Sequence, residues 1–183
     1  MSDRFVVLSG CSGGGKSSLL EELRRRGHAV VAEPGRRIVE EELARGGSAL
    51  PWLDLVAFAR RAIDLALADR AAMRGHAGFV FFDRSLIDAA SALEAHGGEQ
   101  LLDALAAQHR YNDKVFLTPP WPEIYVTDPQ RRHDFEAARA EYRRLEMTYP
   151  ALGYETIILP KVPVPERADF VLRQLGICQR AEM

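Results

Sequence analysis

The sequence predicts an α/β fold: one mainly five-stranded parallel sheet with helices on both faces, three layers in all. Short apolar runs recur at 5–8, 29–32, 79–83, 114–117 and 155–159, and stretches with helical apolar spacing separate them. No internal repeat or low-complexity linker interrupts the alternation, and 183 residues suffice for one domain with a full core. The whole of 1–183 is therefore expected to fold as a single unit.

Each element follows from its residues. Phe5, Val6, Val7 and Leu8 form a β-branched and aromatic run that stops at Ser9 and Gly10, as a buried parallel strand does. Over 17–26, Leu19, Leu20 and Leu23 share one helical face, and Gly27 supplies a C-cap. A strand at 29–32 runs into Glu33, Pro34 and Gly35, then a helix from about 36 to 44 closed by Gly46 and Gly47. A long helix is expected over 51–74, with Pro51 near its start and Leu55, Phe58, Ala62, Leu65 and Ala66 in a stripe. The run at 79–83 ends in a carboxylate and leads into a helix beginning near Ser85. The last two strands flank a proline-rich loop, an arginine pair and a charged helix over 134–149; a loop at 160–165 and a helix at 166–175 finish the chain.

Composition narrows the function. With 47% hydrophobic and 27% charged residues the chain is an ordinary globular one, and a net charge of -2 gives no global basic field, so no nucleic-acid partner is expected. Two cysteines, Cys11 and Cys178, make no disulfide framework and suit a reducing, cytoplasmic setting. No apolar run approaches the roughly 20 residues that a membrane helix needs.

Gly10, Cys11, Ser12, Gly13, Gly14, Gly15, Lys16 and Ser17 match G-x-x-x-x-G-K-[ST] in full, between a predicted strand and a predicted helix. Glycines let successive N–H groups turn inward on phosphate oxygens, and the helix N-terminus adds partial positive charge. This P-loop is expected to hold ATP and Mg2+, with Lys16 on the β- and γ-phosphates and the Ser17 hydroxyl on the metal. Ser18 is included with the nucleotide contacts, although its place reads as a helix position. The chain has no Asn-Lys-x-Asp guanine reader, and loop 160–165 favours adenine, so ATP is preferred to GTP.

Ligands of open parallel sheets collect at the carboxyl ends of strands, which places Asp83 beside the P-loop. Asp83 is expected to hold the metal or to take a proton from an attacking hydroxyl, with Arg84 neutralising the transferred phosphoryl group; Asp83 capping the next helix is the plainer alternative. Asp88 reads as solvated surface. Glu33, Arg36 and Arg37 stand at the next strand end, as an acceptor site or as i,i+4 partners of Glu40 and Glu41. The segment at about 119–135 reads as a lid, with Asp128 in it and Arg131 and Arg132 as candidate transition-state arginines or as exposed first-turn residues. Trp52, Phe58 and Trp121 have the chemistry to stack on a base, but aromatics at helical spacing are more often core, and none of the three is assigned that role.

Taken together, the stretches 7–20, 30–33, 79–88, 113–135 and 154–170 resemble the small AAA-type ATP-binding domains similar to the riboside kinase domain of NadR. The most specific are Phe82-Asp83-Arg84-Ser85 and Pro119-Pro120-Trp121-Pro122-Glu123 followed by Asp128, Arg131, Arg132 and Phe135, with Leu159-Pro160 closing the last strand. The resemblance implies a nucleotide-kinase-like P-loop NTPase in which Lys16 and Ser17 serve ATP and magnesium, Asp83 and Arg84 serve catalysis, and Arg131 and Arg132 belong to the lid. No clear nicotinamide-riboside pocket is legible in 46–54. The expected activity is transfer of the γ-phosphoryl group to an unidentified small-molecule acceptor, nucleoside-like in character; a nucleotide-operated switch and an ATPase without an acceptor are the alternatives.

Overall fold

The computed structural model describes residues 4–124 and 135–177. Five parallel strands, β1 (Phe5–Gly10), β2 (Ala29–Val31), β3 (Val80–Asp83), β4 (Lys114–Thr118) and β5 (Glu155–Ile158), form one sheet in the order β2-β3-β1-β4-β5. β1 is central, with Leu8 beside Asp83 of β3 and Gly10 beside Thr118 of β4. The chain leaves β1 in one direction for β2 and later crosses to β4 on the other side. The carboxyl end of β1 is therefore the place where strand connections diverge and a crevice opens.

The strands are short and apolar because both faces are covered. On one face Val7, Phe82, Val115 and Leu117 pack beneath α3 (Leu55–Ala72), α4 (Leu86–Ala95) and α6 (Phe135–Ala151). On the other, Val6, Leu8, Phe81 and Phe116 meet Leu19, Leu20 and Leu23 of α1 (Lys16–Arg25) and Ala168, Val171 and Leu172 of α7 (Val164–Gln174). The predicted three-layer α/β fold, with its five-stranded parallel sheet, is the observed one.

Three boundaries differ from the sequence-based expectation. Pro51 lies in a turn, and α3 starts only at Leu55, where the Asp54 carboxylate accepts the Ala57 N–H at 2.9 Å. The helix after β2, α2 (Pro34–Arg45), begins on Pro34 itself, the first-turn place where a missing N–H costs nothing. A seven-residue helix, α5 (Leu102–Gln108), was not expected; its short sequence has too few turns to show a periodicity. A clearer correction concerns Asp88. Far from being solvated, it is buried on α4, where it closes a capping box with Ser85 and accepts from Tyr149 Oη at 2.6 Å.

Candidate active site

The phosphate-binding loop is shaped by what surrounds it. Gly10, Gly13 and Gly15 hold φ of 101°, 77° and 79°, a region that side chains rarely enter. A Cβ on Gly10 would stand 2.5 Å from the Thr118 carbonyl oxygen, and one on Gly14 would stand 2.6 Å from Thr118 Cβ. Thr118 is thus the floor of the loop: its carbonyl accepts the Cys11 N–H at 2.8 Å, and its hydroxyl donates to the carbonyls of Ser9 and Cys11. From the other side Arg167 of α7 donates from Nη1 to the Gly14 carbonyl at 3.1 Å and lies 5.4 Å over the Trp121 ring. Sequence reasoning singled out neither Thr118 nor Arg167. The sequence signal for the second was its spacing, four positions before the apolar Val171 on the same helical face; in the fold Arg167 is only 4% exposed.

Lys16 is buried and donates from Nζ to the Cys11 carbonyl at 2.9 Å. Burial draws its pKa below the ordinary lysine value and nearby Arg84 adds to this, while Asp83 and Glu33 oppose it. The Ser17 hydroxyl donates to Asp83 Oδ2 at 3.2 Å, so the last residue of the loop and the end of β3 meet, as the sheet register requires. Asp83 Oδ1 is buried with no hydrogen-bond partner among the described residues. Burial, reinforced by Glu33, pushes its carboxyl up to about 6, with Lys16 and Arg84 pulling the other way. A hydroxyl and an oxygen lacking a partner side by side fit a hard divalent cation. Among the described residues no group of three or more His, Cys, Asp or Glu could hold a metal. Ser17 and Asp83 are the described side chains that could contribute to holding one.

Arg84 follows directly and carries φ 65°, left-handed for a residue with a bulky side chain. Such a backbone costs on the order of 1–3 kcal/mol and persists only where its surroundings over-determine it. They do so here: its N–H donates to the Leu8 carbonyl at 2.9 Å. Its guanidinium reaches Glu33 at 2.9 Å, Glu141 of α6 at 2.9 Å and Asp88 at 3.3 Å. Three acids converging on one buried guanidinium raise its pKa well above normal despite burial.

Beyond Arg84 lies a cavity of about 330 Å³, bounded by Ser12 of the phosphate loop, by Glu33 and Arg36, and by α3, α4 and α6. Its walls are small and apolar: Phe58, Ala59 and Ala62 on one side, Ala89 and Ala92 on another, Ala137, Ala138 and Ala140 on a third. Phe58, which its helical spacing favours as a core residue, is a cavity wall. Glu33 and Arg36 both line this space and lie 3.4 Å apart, whereas Arg37 turns to Asp69 of α3 and is not among the lining residues. Asp83 does not line the cavity either. Asp128, Arg131 and Arg132 lie outside the described residues.

The profile of the AAA domain family matches residues 5–167. The chain belongs to that family. No curated protein matches it in sequence. Among solved structures, this AAA domain resembles a NadR protein in complex with NR (21% identity, TM-score 0.70, 100% of this chain and 54% of that one). It also resembles NadR in complex with NAD and AMP-PNP (19%, TM-score 0.68, 100% and 52%) and the deoxyadenosine kinase of M. mycoides with dCMP and dCDP (14%, TM-score 0.63, 94% and 98%). The domain thus spans about half of the NadR chains and nearly all of the kinase chain; at these identities the shared property is the fold. No helix among the described residues of this AAA domain is long and apolar enough to cross a membrane.

Proposed function

We propose that the protein is a cytoplasmic phosphotransferase that moves the γ-phosphoryl group of ATP to a hydroxyl of a small, nucleoside-like acceptor. The observation that carries this reading is the cavity opening directly beside the phosphate loop, with Glu33 and Arg84 between the two. A switch or a bare ATPase needs no such second chamber. Support also comes from the solved relatives, one with AMP-PNP and one named as a kinase.

The residues divide the work. The P-loop amides, Lys16 and the Ser17 hydroxyl hold the triphosphate, and Ser17 with Asp83 holds Mg2+, which when bound offsets phosphate charge. Since Asp83 faces Ser17 and not the cavity, Glu33 is the carboxylate that receives the acceptor hydroxyl's proton as its oxygen bonds to the γ-phosphorus and the bond to the departing ADP oxygen breaks. Arg84, fixed on three acids, stands where charge on the transferred group is countered. Arg131 and Arg132 would complete that charge cover from the 119–135 lid. The test is ATP consumption with magnesium over a panel of nucleosides, ribosides, nucleotides and small phosphorylated metabolites. Acceptor-stimulated ADP formation that disappears in Lys16→Ala is expected; tight ATP binding with no stimulation by any acceptor would reject the kinase reading.

A further inference from the structure

The cavity's charged groups are unevenly engaged. All its carboxylates are committed: Glu33, Asp88 and Glu141 each bind Arg84. Asp88 also accepts from the Ser85 N–H at 3.0 Å and from Tyr149 Oη, and Glu33 from Arg36. Arg144 of α6 differs. Its Nε donates to Ser91 Oγ at 3.1 Å, but its two terminal nitrogens have no hydrogen-bond partner and no ion pair among the described residues, and the side chain lines the cavity.

Position gives this arginine a direction. On α4 the wall runs from Ser85 and Asp88, beside Arg84, to Ala92 and His96; Ser91, which holds Arg144, sits about 9 Å of helix rise from Ser85. On α6, Arg144 is about one turn beyond Glu141, the partner of Arg84. Arg144 therefore lines the cavity about one turn farther along α6 than Glu141, beside Ser91 of α4 and short of His96. Burial lowers its pKa below the usual arginine value and nearby Arg84 adds to this, while the charges of Glu141 and Asp88, neither of them hydrogen-bonded to it, pull the other way.

We propose that Arg144 is a specificity-determining residue of the acceptor site, its fork receiving oxygen acceptors, a carbonyl or carboxylate, on the acceptor's ring, while the sugar hydroxyl faces Glu33. This deepens the kinase reading and rests on it. A planar ring fits between the Phe58 and alanine walls, and a guanidinium presents two parallel donors that match carbonyl and carboxylate oxygens and repel amino cations.

The test compares pyridine ribosides carrying a 3-carboxylate, 3-carboxamide or 3-aminomethyl group, and uridine against cytidine. Each is titrated calorimetrically into protein loaded with a non-hydrolysable ATP analogue and assayed separately for kcat/KM with ATP. Oxygen-bearing compounds are expected to bind at least about tenfold more tightly than their amine counterparts. Arg144→Gln should reduce that preference to within about threefold, through acceptor KM and with ATP binding unchanged, while Arg144→Lys should retain carboxylate and lose carbonyl preference. Ser91→Ala removes the hydrogen bond to Arg144 but not the fork, so it should keep the preference; loss equal to that of Arg144→Gln would assign Arg144 a structural role and overturn the proposal. Equal binding of amines by the wild type, preference surviving in Arg144→Gln, or no riboside binding at all would overturn it too. Selective binding without turnover would reject the kinase activity and leave Arg144's role standing.

Discussion

The two ends of the site are built on different principles. At the phosphate-loop end, the site is built mainly of backbone N–H donors, joined by the side chains of Lys16 and Ser17, and the neighbouring Thr118 and Arg167 hold that backbone in shape. At the cavity end, the site is built of side chains delivered by α3, α4, α6 and the start of α2, and the backbone contributes only their spacing. A backbone cradle is local in sequence and insensitive to its owner's substrate. A side-chain chamber is assembled from distant segments, and each wall is open to change.

That contrast can be broken at its joint. Asp83→Asn, which keeps the Ser17 contact but removes the charge, is expected to leave ATP affinity near normal and lower phosphoryl transfer by about a thousandfold, the scale of losing a preorganised electrostatic group. Normal turnover, read as ADP release, would remove Asp83 from the mechanism. Arg84→Ala deprives Glu33, Asp88 and Glu141 of their common counter-charge, so unfolding by urea should show a loss of about 3–5 kcal/mol as well as loss of activity. An unchanged urea midpoint would mean that the cavity is held by other contacts.

The phosphate end is tested by glycine. Gly10→Ala combines φ 101° with a contact of 2.5 Å against backbone and should cost about 3 kcal/mol or more. Gly27→Ala has φ 86° but nothing within 4 Å and should cost only about 1–2 kcal/mol. Equal thermal shifts would show the Thr118 floor to be yielding.

Asp83 also predicts a pH effect. Its folded pKa is raised from 3.8 to about 6, so between these values the native state binds the proton that the unfolded state releases, and stability falls as pH rises from about 4 to about 6 and then levels. Asp83→Asn should lack that slope, on the order of 2–3 kcal/mol, in the difference between wild-type and mutant urea midpoints; other carboxylates cancel in the comparison. Magnesium-dependent activity should run oppositely, falling as pH drops through about 6. Smallest of all, Arg37→Ala removes a partly exposed ion pair to Asp69 and should cost under about 1 kcal/mol with kcat unchanged. A tenfold loss of transfer would return Arg37 to the acceptor site.

The strands, the P-loop and the strand-end carboxylate were legible in the sequence because each depends on residues within a few positions: an apolar run, glycines ahead of Lys16, an acid closing a β-run. Asp88 misled because a carboxylate on a helix is usually wet, and its partners Ser9 and Tyr149 lie 79 and 61 positions away. The direction taken by Arg37, the seating of Arg167 beneath Gly14 and the turn of Arg144 toward a chamber likewise depend on partners that only folding brings near. The sequence by itself determined the layered sheet and the anion cradle, since backbone geometry and apolar periodicity are written in neighbouring residues. Tertiary structure alone decided which charges neutralise each other and which face the chamber, because Coulomb partners are set by distance in space and burial, to which chain order gives no measure.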